Sequence, residues 1–280
     1  MESEKTSKIA YSGIEGAFAN IAAKKIFPNG NLVSFLDFTS AYKAVENGEC
    51  DYAVLPIENS FAGEVTQVSD LMFTGSLFIK EVWELTIHQN LLGTENSSID
   101  SIKTVISHPQ ALEQCTSFIN EHGWKIQIES NTARAAKKVS ELNDKSIAAI
   151  ASKETAELYG LEILASNINE NENNTTRFAV FTKNKKSETE KKSDDTFIMM
   201  FTVKNKSGML AKAINVIGDN DFNMSELRSR PLRKQAWEYY FFVEAQGSVC
   251  SVQGRKMIKD LQEQCEMLKI VGSYKIQAIN

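Results

Sequence analysis

Metal-binding and cross-linking residues are scarce in this chain. Its 280 residues include four cysteines, Cys50, Cys115, Cys250 and Cys265, and three histidines, His88, His108 and His122. No two cysteines stand in CxxC spacing and no two histidines at a helical ligand spacing, which argues against a zinc centre, metal catalysis or a secreted disulfide framework. The cysteines read as reduced thiols. No basic run carries interleaved aromatics, so nucleic acid is not an expected partner. Neither a hydrophobic signal core nor an apolar stretch long enough to cross a bilayer is found, so no membrane partner is expected and a cytoplasmic location is. Proline is rare as well, at four residues, far below the usual share of about 5%. Three of the four lie in polar, turn-like clusters that end strands.

What is present is an ordinary globular composition, 42% hydrophobic and 24% charged with a net charge of −5. A chain of this length fits one large domain or two of ordinary size. β-rich runs at 8–11, 32–35 and 52–55 alternate with helix-like runs at 17–27 and 40–47, an α/β rhythm. The rhythm repeats with strands at 103–107, 125–129 and 146–151 and helices at 111–122 and 132–142, so two similar lobes are expected, the second over about 90–170. Gly48, Gly123 and Gly160 each follow a helical run, where a left-handed cap would sit.

Residues 183–195 contain no apolar side chain and read as a linker, centred on 184–195. Beyond them strands at 196–203, 223–230, 237–245 and 266–276 and helices at 209–220 and 252–264 give the order βαββαβ, a ferredoxin-like module over 196–280.

Four clusters carry the candidate chemistry. In Pro56-Ile57-Glu58-Asn59-Ser60, with Gly63 following, an apolar strand runs into polar side chains, the place where open α/β sheets bind ligands. Capping by Asn59 and Ser60 is the plainer explanation. In Ser107-His108-Pro109-Gln110-Ala111-Leu112, Ser107 is a helix-cap candidate and His108 a secondary one for chemistry, with Gln114 a turn further on. In Ser130-Asn131-Thr132-Ala133, Asn131 or Thr132 is positioned to cap a helix. In Asn173-Asn174-Thr175-Thr176-Arg177-Phe178, Arg177 is a planar donor suited to a carboxylate, against the commoner case of an arginine in solvent.

In this order and spacing, together with the opening Gly13-Ile14-Glu15-Gly16-Ala17-Phe18-Ala19, the four clusters resemble the prephenate dehydratase family over nearly the whole chain. The resemblance implies a catalytic region at 8–183 built as two periplasmic-binding-protein-like (type II) lobes with the site in the cleft, followed by an ACT regulatory domain. It implies decarboxylating dehydration of prephenate to phenylpyruvate, water and CO2, a reaction that needs no cofactor. By resemblance Thr176 stands beside the leaving hydroxyl and Arg177 holds the pyruvyl carboxylate, with Phe178 against the ring or in the core. Asn59, Ser60, Gly63, Ser107, His108, Gln110 and Thr132 surround the substrate, and Glu58 has a structural role. In the ACT module, Gly208-Met209-Leu210-Ala211 and Ser229-Arg230-Pro231 match the motifs that bind the effector L-phenylalanine, and self-association as a dimer or tetramer through both domains is implied.

Two departures stand out. Where the family often has Gly-Pro-x-Gly-Thr-Phe-Ser, this chain has Ile14, Ala17 and Ala19, which removes hydroxyls from that loop. Where relatives tend to have Lys-Ile-Glu before Ser-Arg-Pro, it has Glu226-Leu227-Arg228, so two charges exchange places on one strand face. Arogenate dehydratase is the alternative within the class, and a non-enzymatic ACT-linked sensor the alternative outside it. With about seven residues ahead of the first strand, no chorismate mutase activity is expected.

Overall fold

The computed structural model describes residues 6–171, 173–187, 194–232 and 237–279. The chain divides into two compact units, Met1–Val68 with Glu84–Phe178 and Ala278–Asn280, and Ser69–Trp83 with Ala179–Gln277.

The first unit opens with β1 (Lys8–Ser12), α1 (Phe18–Ile26), β2 (Asn31–Phe35), α2 (Phe38–Glu46) and β3 (Tyr52–Asn59). β1 lies between β2 and β3, parallel to both. Expected to end at 55, β3 runs on to Asn59. The last rung it shares with β1 is Tyr11 opposite Val54, so Pro56, which has no N–H to offer, lies beyond that ladder. At Gly63, with φ +76°, the chain turns back as β4 (Gly63–Glu64), setting Glu64 opposite Glu58 and Gly63 opposite Asn59. α3 (Thr66–Thr74) and β5 (Phe78–Thr86) follow.

A second sheet is built from β6 (Asn90–Gly93), β7 (Thr104–Ser107), β8 (Lys125–Ile128), β9 (Ile147–Ala151) and β10 (Glu162–Ala165), in the order β10-β6-β9-β7-β8. Its helices are α4 (Pro109–Glu113), α5 (Thr116–His122), α6 (Thr132–Leu142) and α7 (Lys153–Tyr159). Adjacent residues of its strands enter different cores. Leu91, Val105 and Ala148 pack with Leu112, Ile119 and Trp124, whereas Leu92, Ile106 and Ala149 pack with Ala135, Ala136 and Val139. Burial on both faces explains why these strands read as unbroken apolar runs. The single helix expected at 111–122 is two helices. Cys115 leaves helical geometry (φ −117°, ψ 18°) and the Thr116 hydroxyl donates to the carbonyl of Glu113 at 2.8 Å, closing α4. From this sheet the chain returns as β11 (Thr175–Thr182), beside β3.

The second unit contains β12 (Thr196–Thr202), α8 (Met209–Asp219), β13 (Met224–Pro231), β14 (Tyr239–Gln246), α9 (Val252–Gln264) and β15 (Met267–Tyr274); β16 (Ile276–Ile279) closes the chain. The expected strand at 266–276 is thus two strands. The order β13-β14-β12-β15 is antiparallel throughout, with α8 and α9 contributing to one apolar core, the ferredoxin-like arrangement of βαββαβ. This unit also holds residues 69–83, so its limits are not the contiguous ones that the polar segment suggests. Asp70 accepts from the Tyr240 hydroxyl at 2.8 Å and from Arg230 Nε at 3.2 Å, and Phe73 stacks on Tyr240 at 4.2 Å. Lys269 donates to the carbonyls of Met72 and Gly75. Within the expected linker, 188–193 lie outside the described residues. Among the described residues no helix is long and apolar enough to cross a membrane.

Gly272 pairs with Ile79 of β5, and a Cβ there would stand 2.6 Å from both Cβ and O of Ile79. Gly272→Ala is expected to destabilise the protein by about 1–3 kcal/mol through overpacking, read as a lower thermal midpoint. An unchanged midpoint would contradict the close approach.

Candidate active site

A cavity of about 540 Å³ opens in the first unit, within the size range of small-molecule sites. Both sheets contribute to it. Phe18, Phe38, Thr66 and Thr132, each the first residue of its helix (α1, α2, α3 and α6), line the cavity, and Gln110 of α4 joins them. Helix N-terminal ends carry partial positive charge and unused N–H groups, so their convergence favours an anionic guest. Asp37 caps α2 through Ser40 N and Asn131 caps α6 through Arg134 N, both at 2.7 Å. Ala17 at the head of α1 has no side-chain oxygen with which to cap. The missing hydroxyl of the opening motif therefore leaves that end to water or ligand.

Charge in the lining is sparse. Among the described residues it includes no lysine or arginine, and Glu64 is the one carboxylate. His108 also lines the cavity. Burial holds its pKa below the ordinary imidazole value, and its Nδ1 accepts from Gln110 N at 3.3 Å.

The best-defined polar contacts centre on Asn59, at the end of β3. Its Oδ1 accepts from the backbone N–H of Phe61 at 3.1 Å and of Ala62 at 2.9 Å. Backbone N–H groups only donate, so the oxygen must face them and the orientation of the amide is fixed. Nδ2 then donates to Asn174 Oδ1 at 2.8 Å and to Thr176 Oγ1 at 2.9 Å. Because the threonine oxygen accepts here, its own proton is left to point elsewhere. Asn174 passes the polarity on, donating from Nδ2 to Gln114 Oε1 at 2.9 Å, and Gln110 Nε2 reaches Asn59 Oδ1 at 3.2 Å.

Of the residues singled out from the sequence, Asn59, Gly63, His108, Gln110, Thr132, Thr176 and Phe178 line the cavity. Three do not. Arg177 follows Thr176 in a strand, so it points to the opposite face, where Nε meets Glu84 at 3.0 Å and an Nη meets Glu58 at 3.2 Å. This corrects the expectation that Arg177 holds a substrate carboxylate and gives Glu58 its structural partner. Ser60 Oγ accepts from Thr175 N at 2.9 Å and donates to Asn173 O at 3.2 Å, which ties two segments together. Ser107 is not the helix cap; that place is taken by His108, and the fully buried Ser107 hydroxyl donates to Ile150 O at 2.6 Å.

Sequence reasoning gave no role in the site to Glu64, Gln67, Gln89, Gln114 or Asn174, although all line the cavity. Asn174 was findable, because Asn174, Thr176 and Phe178 alternate at strand period, and Gln114 lies four residues beyond Gln110. Gln89 gave no local signal. The residues singled out for an effector lie in the second unit. Gly208 to Ala211 form the entry and first turn of α8, and Ser229 to Pro231 end β13, with Arg230 on Asp70.

A family model for prephenate dehydratase matches residues 9–186. Arogenate dehydratase/prephenate dehydratase 2, chloroplastic, of Arabidopsis thaliana is 32% identical over 278 residues, covering 96% of this chain and 73% of the relative. Among solved structures, one described as GqqA, a novel type of quorum quenching acylase, superposes with a TM-score of 0.88 at 29% identity, over 96% of this chain and 98% of the other. The prephenate dehydratase of Arthrobacter aurescens, solved in complex with L-Phe, has a TM-score of 0.86 at 23% identity over 95% of this chain and 89% of its own, a likeness of fold. The chain belongs to the prephenate dehydratase family and is an enzyme of that type.

In the folded protein His108 is expected to titrate below the ordinary value of about 6.5. As pH falls the unfolded chain then takes up its proton first, so the contribution of neutral His108 to stability is lost on going down from about 6.5. An NMR titration with a His108 midpoint at or above that value would contradict the burial argument.

Proposed function

We propose that the cavity catalyses the decarboxylating dehydration of prephenate, or of its amino analogue arogenate, giving phenylpyruvate or phenylalanine with water and CO2. As the bond to the ring carboxylate breaks, its electron pair moves through the diene and expels the hydroxyl at the far carbon. Aromatisation drives the step, so the protein has to orient the substrate and stabilise the departing oxygen.

The observation that carries this reading is the Thr176 hydroxyl, which accepts from Asn59 Nδ2 at 2.9 Å and so keeps its proton for a guest. Donated to the leaving oxygen as negative charge builds, that bond contributes on the order of 3 kcal/mol. The absence of lysine and arginine among the described lining residues fits the same chemistry. An ion pair to the departing carboxylate would stabilise the ground state more than the transition state and slow the loss of CO2. Helix N-termini and neutral amides such as Gln110 take over the binding of carboxylates.

Acyl transfer, the activity in the description of one structural neighbour, calls for a nucleophile paired with a base. Among the described residues no hydroxyl is bonded to the His108 ring, and burial pushes the Cys115 thiol up to about 12. The dehydratase reading is the better supported.

The second unit is read as an ACT module that binds L-phenylalanine and pairs with other copies as a dimer or tetramer. Supporting this are its ferredoxin-like order, the left-handed Gly208 (φ +79°) ahead of α8, and the L-Phe complex of a protein with the same fold. Glu226 and Arg228, exchanged relative to the usual motif, form an ion pair, and Arg228 lies over the Phe242 ring at 5.3 Å.

Thr176→Ala is expected to lower kcat about 100-fold or more with little change in KM. Asn59→Asp keeps an acceptor for the backbone but turns the threonine proton toward itself, and is expected to lower kcat comparably. Either variant with wild-type kcat for product formation from both substrates would remove the proposed roles. L-phenylalanine is expected to depress turnover, and light scattering to give the mass of a dimer or tetramer. Turnover indifferent to phenylalanine would count against the effector assignment.

A further inference from the structure

The five-stranded sheet of the first unit ends in β10 on one side and β8 on the other. A free strand edge is ready to pair with another chain, and folded proteins usually blunt it with irregularity or charge. β10 is blunted, since its register with β6 shifts between Ile163 and Ala165. β8 has no such break. It pairs with β7 in regular register from Lys125 to Ile128, and every one of those residues is exposed. Two of them are large and apolar: Ile126 is 55% and Ile128 67% exposed.

Alternation along the strand decides which main-chain groups are free. The N–H groups of Lys125 and Glu129 donate to Lys103 O and Ser107 O at 2.9 and 2.8 Å, so residues 125, 127 and 129 turn toward β7. Ile126 and Ile128 turn their N–H and C=O outward. An antiparallel strand added at this edge must meet them with residues of the same outward parity, and β8 itself does so. Laid against a second copy about a two-fold axis at Gln127, it sets Ile126 opposite Ile128 of the other copy and Ile128 opposite Ile126. Each such pair exchanges two main-chain hydrogen bonds. Lys125 falls opposite Glu129 of the other copy, twice over, and Gln127 opposite itself. Faces agree as well. Val105, the rung beside Ile126, packs with Ile119 and Trp124, whereas Ile106, the rung beside Gln127, packs with Ala135 and Val139 of α6. The isoleucines of both copies therefore meet on one face of the joined sheet, and Lys125 meets Glu129 on the other. Ser130 N already donates to Glu129 Oε1 at 2.8 Å, and Lys138 of α6 stands 3.9 Å from Oε2.

We propose that β8 joins a second copy of this chain edge to edge, antiparallel and centred on Gln127, so that the sheet continues across the two-fold axis. Main-chain pairing and the isoleucine row supply the attraction, and the exchanged Lys125 and Glu129 fix the register. This interface belongs to the first unit and is separate from the pairing proposed for the ACT module.

The test uses the full-length protein. Gln127→Cys puts a thiol opposite its own counterpart in a non-hydrogen-bonded pair, where Cα atoms stand about 4.5 Å apart and a disulfide can form. Mild oxidation is expected to convert most of that variant to a covalent dimer on a non-reducing gel. Lys125→Cys, displaced from its counterpart by about 13 Å along the strand, is expected to cross-link no more than wild type. In sedimentation, Lys125→Glu sets like charges opposite each other, and its largest assembly is expected to dissociate at a protein concentration about tenfold higher than that of wild type. Lys125→Glu combined with Glu129→Lys is expected to restore the wild-type value. Absence of cross-linking at 127, equal cross-linking at 125 and 127, or a dissociation unmoved by Lys125→Glu overturns the inference. Copies that associate without cross-linking at 127 would leave the ACT pairing standing by itself. Should the doubly substituted chain not fold, the cross-linking decides by the same criteria.

Discussion

The candidate site depends on one amide whose direction is dictated by backbone. Two N–H groups at Phe61 and Ala62 leave Asn59 a single way to face, and every hydrogen-bond polarity downstream of it follows. Thr176 is an acceptor toward Asn59, Asn174 is a relay, Gln114 receives, and Gln89 is left with an unused oxygen. A chain of neutral groups thereby acquires a sense, as a row of charges would, without the desolvation that charges incur. Under the proposed reaction, in which one carboxylate leaves as CO2, that is an advantage, because neutral donors do not cling to the charge that is dispersing.

Separation of faces is the second organising feature. Along β11 and β3, residues of one parity (Asn59, Thr176 and Phe178) serve the cavity, while those of the other parity join Arg177 to Glu58 and Glu84. The ion pairs sit at partly exposed side chains, where solvent screens them, so their part is to fix the strands' relation more than to add stability. The triplet Thr176-Arg177-Phe178 thus lines the cavity on one side and anchors the strand on the other.

Much of this was legible in the sequence. Repeating α/β rhythm gave the two sheets, and α6 and α9 have the limits their patterns suggest, since each has a side-chain cap at Asn131 or Ser251 and an amphipathic face. The break between α4 and α5 was hidden because Cys115 and Thr116 belong to no strong helix-stopping type. Residues 66–93 were not assigned elements, although Gly75 directly follows α3 and its N–H bonds to Leu71 O. Within the site, Arg177 was misread through its chemistry alone: guanidinium suits carboxylate, but strand alternation already denies Arg177 the face that Thr176 occupies. Glu64 and Gln89 were invisible because each is one polar residue in an unremarkable stretch, one on a two-residue strand and the other in the connection just ahead of β6.

Four helices begin at the cavity wall, and the potential they create belongs to peptide groups. It has no protonation equilibrium within the stable range of the protein, and substitution of side chains does not delete it. The head of α1, with Ala17 and Ala19 in place of hydroxyls, can therefore drift in composition while the pull on an anion persists. Side chains of the lining are left to vary in the service of discrimination between guests, with attraction already guaranteed by the main chain.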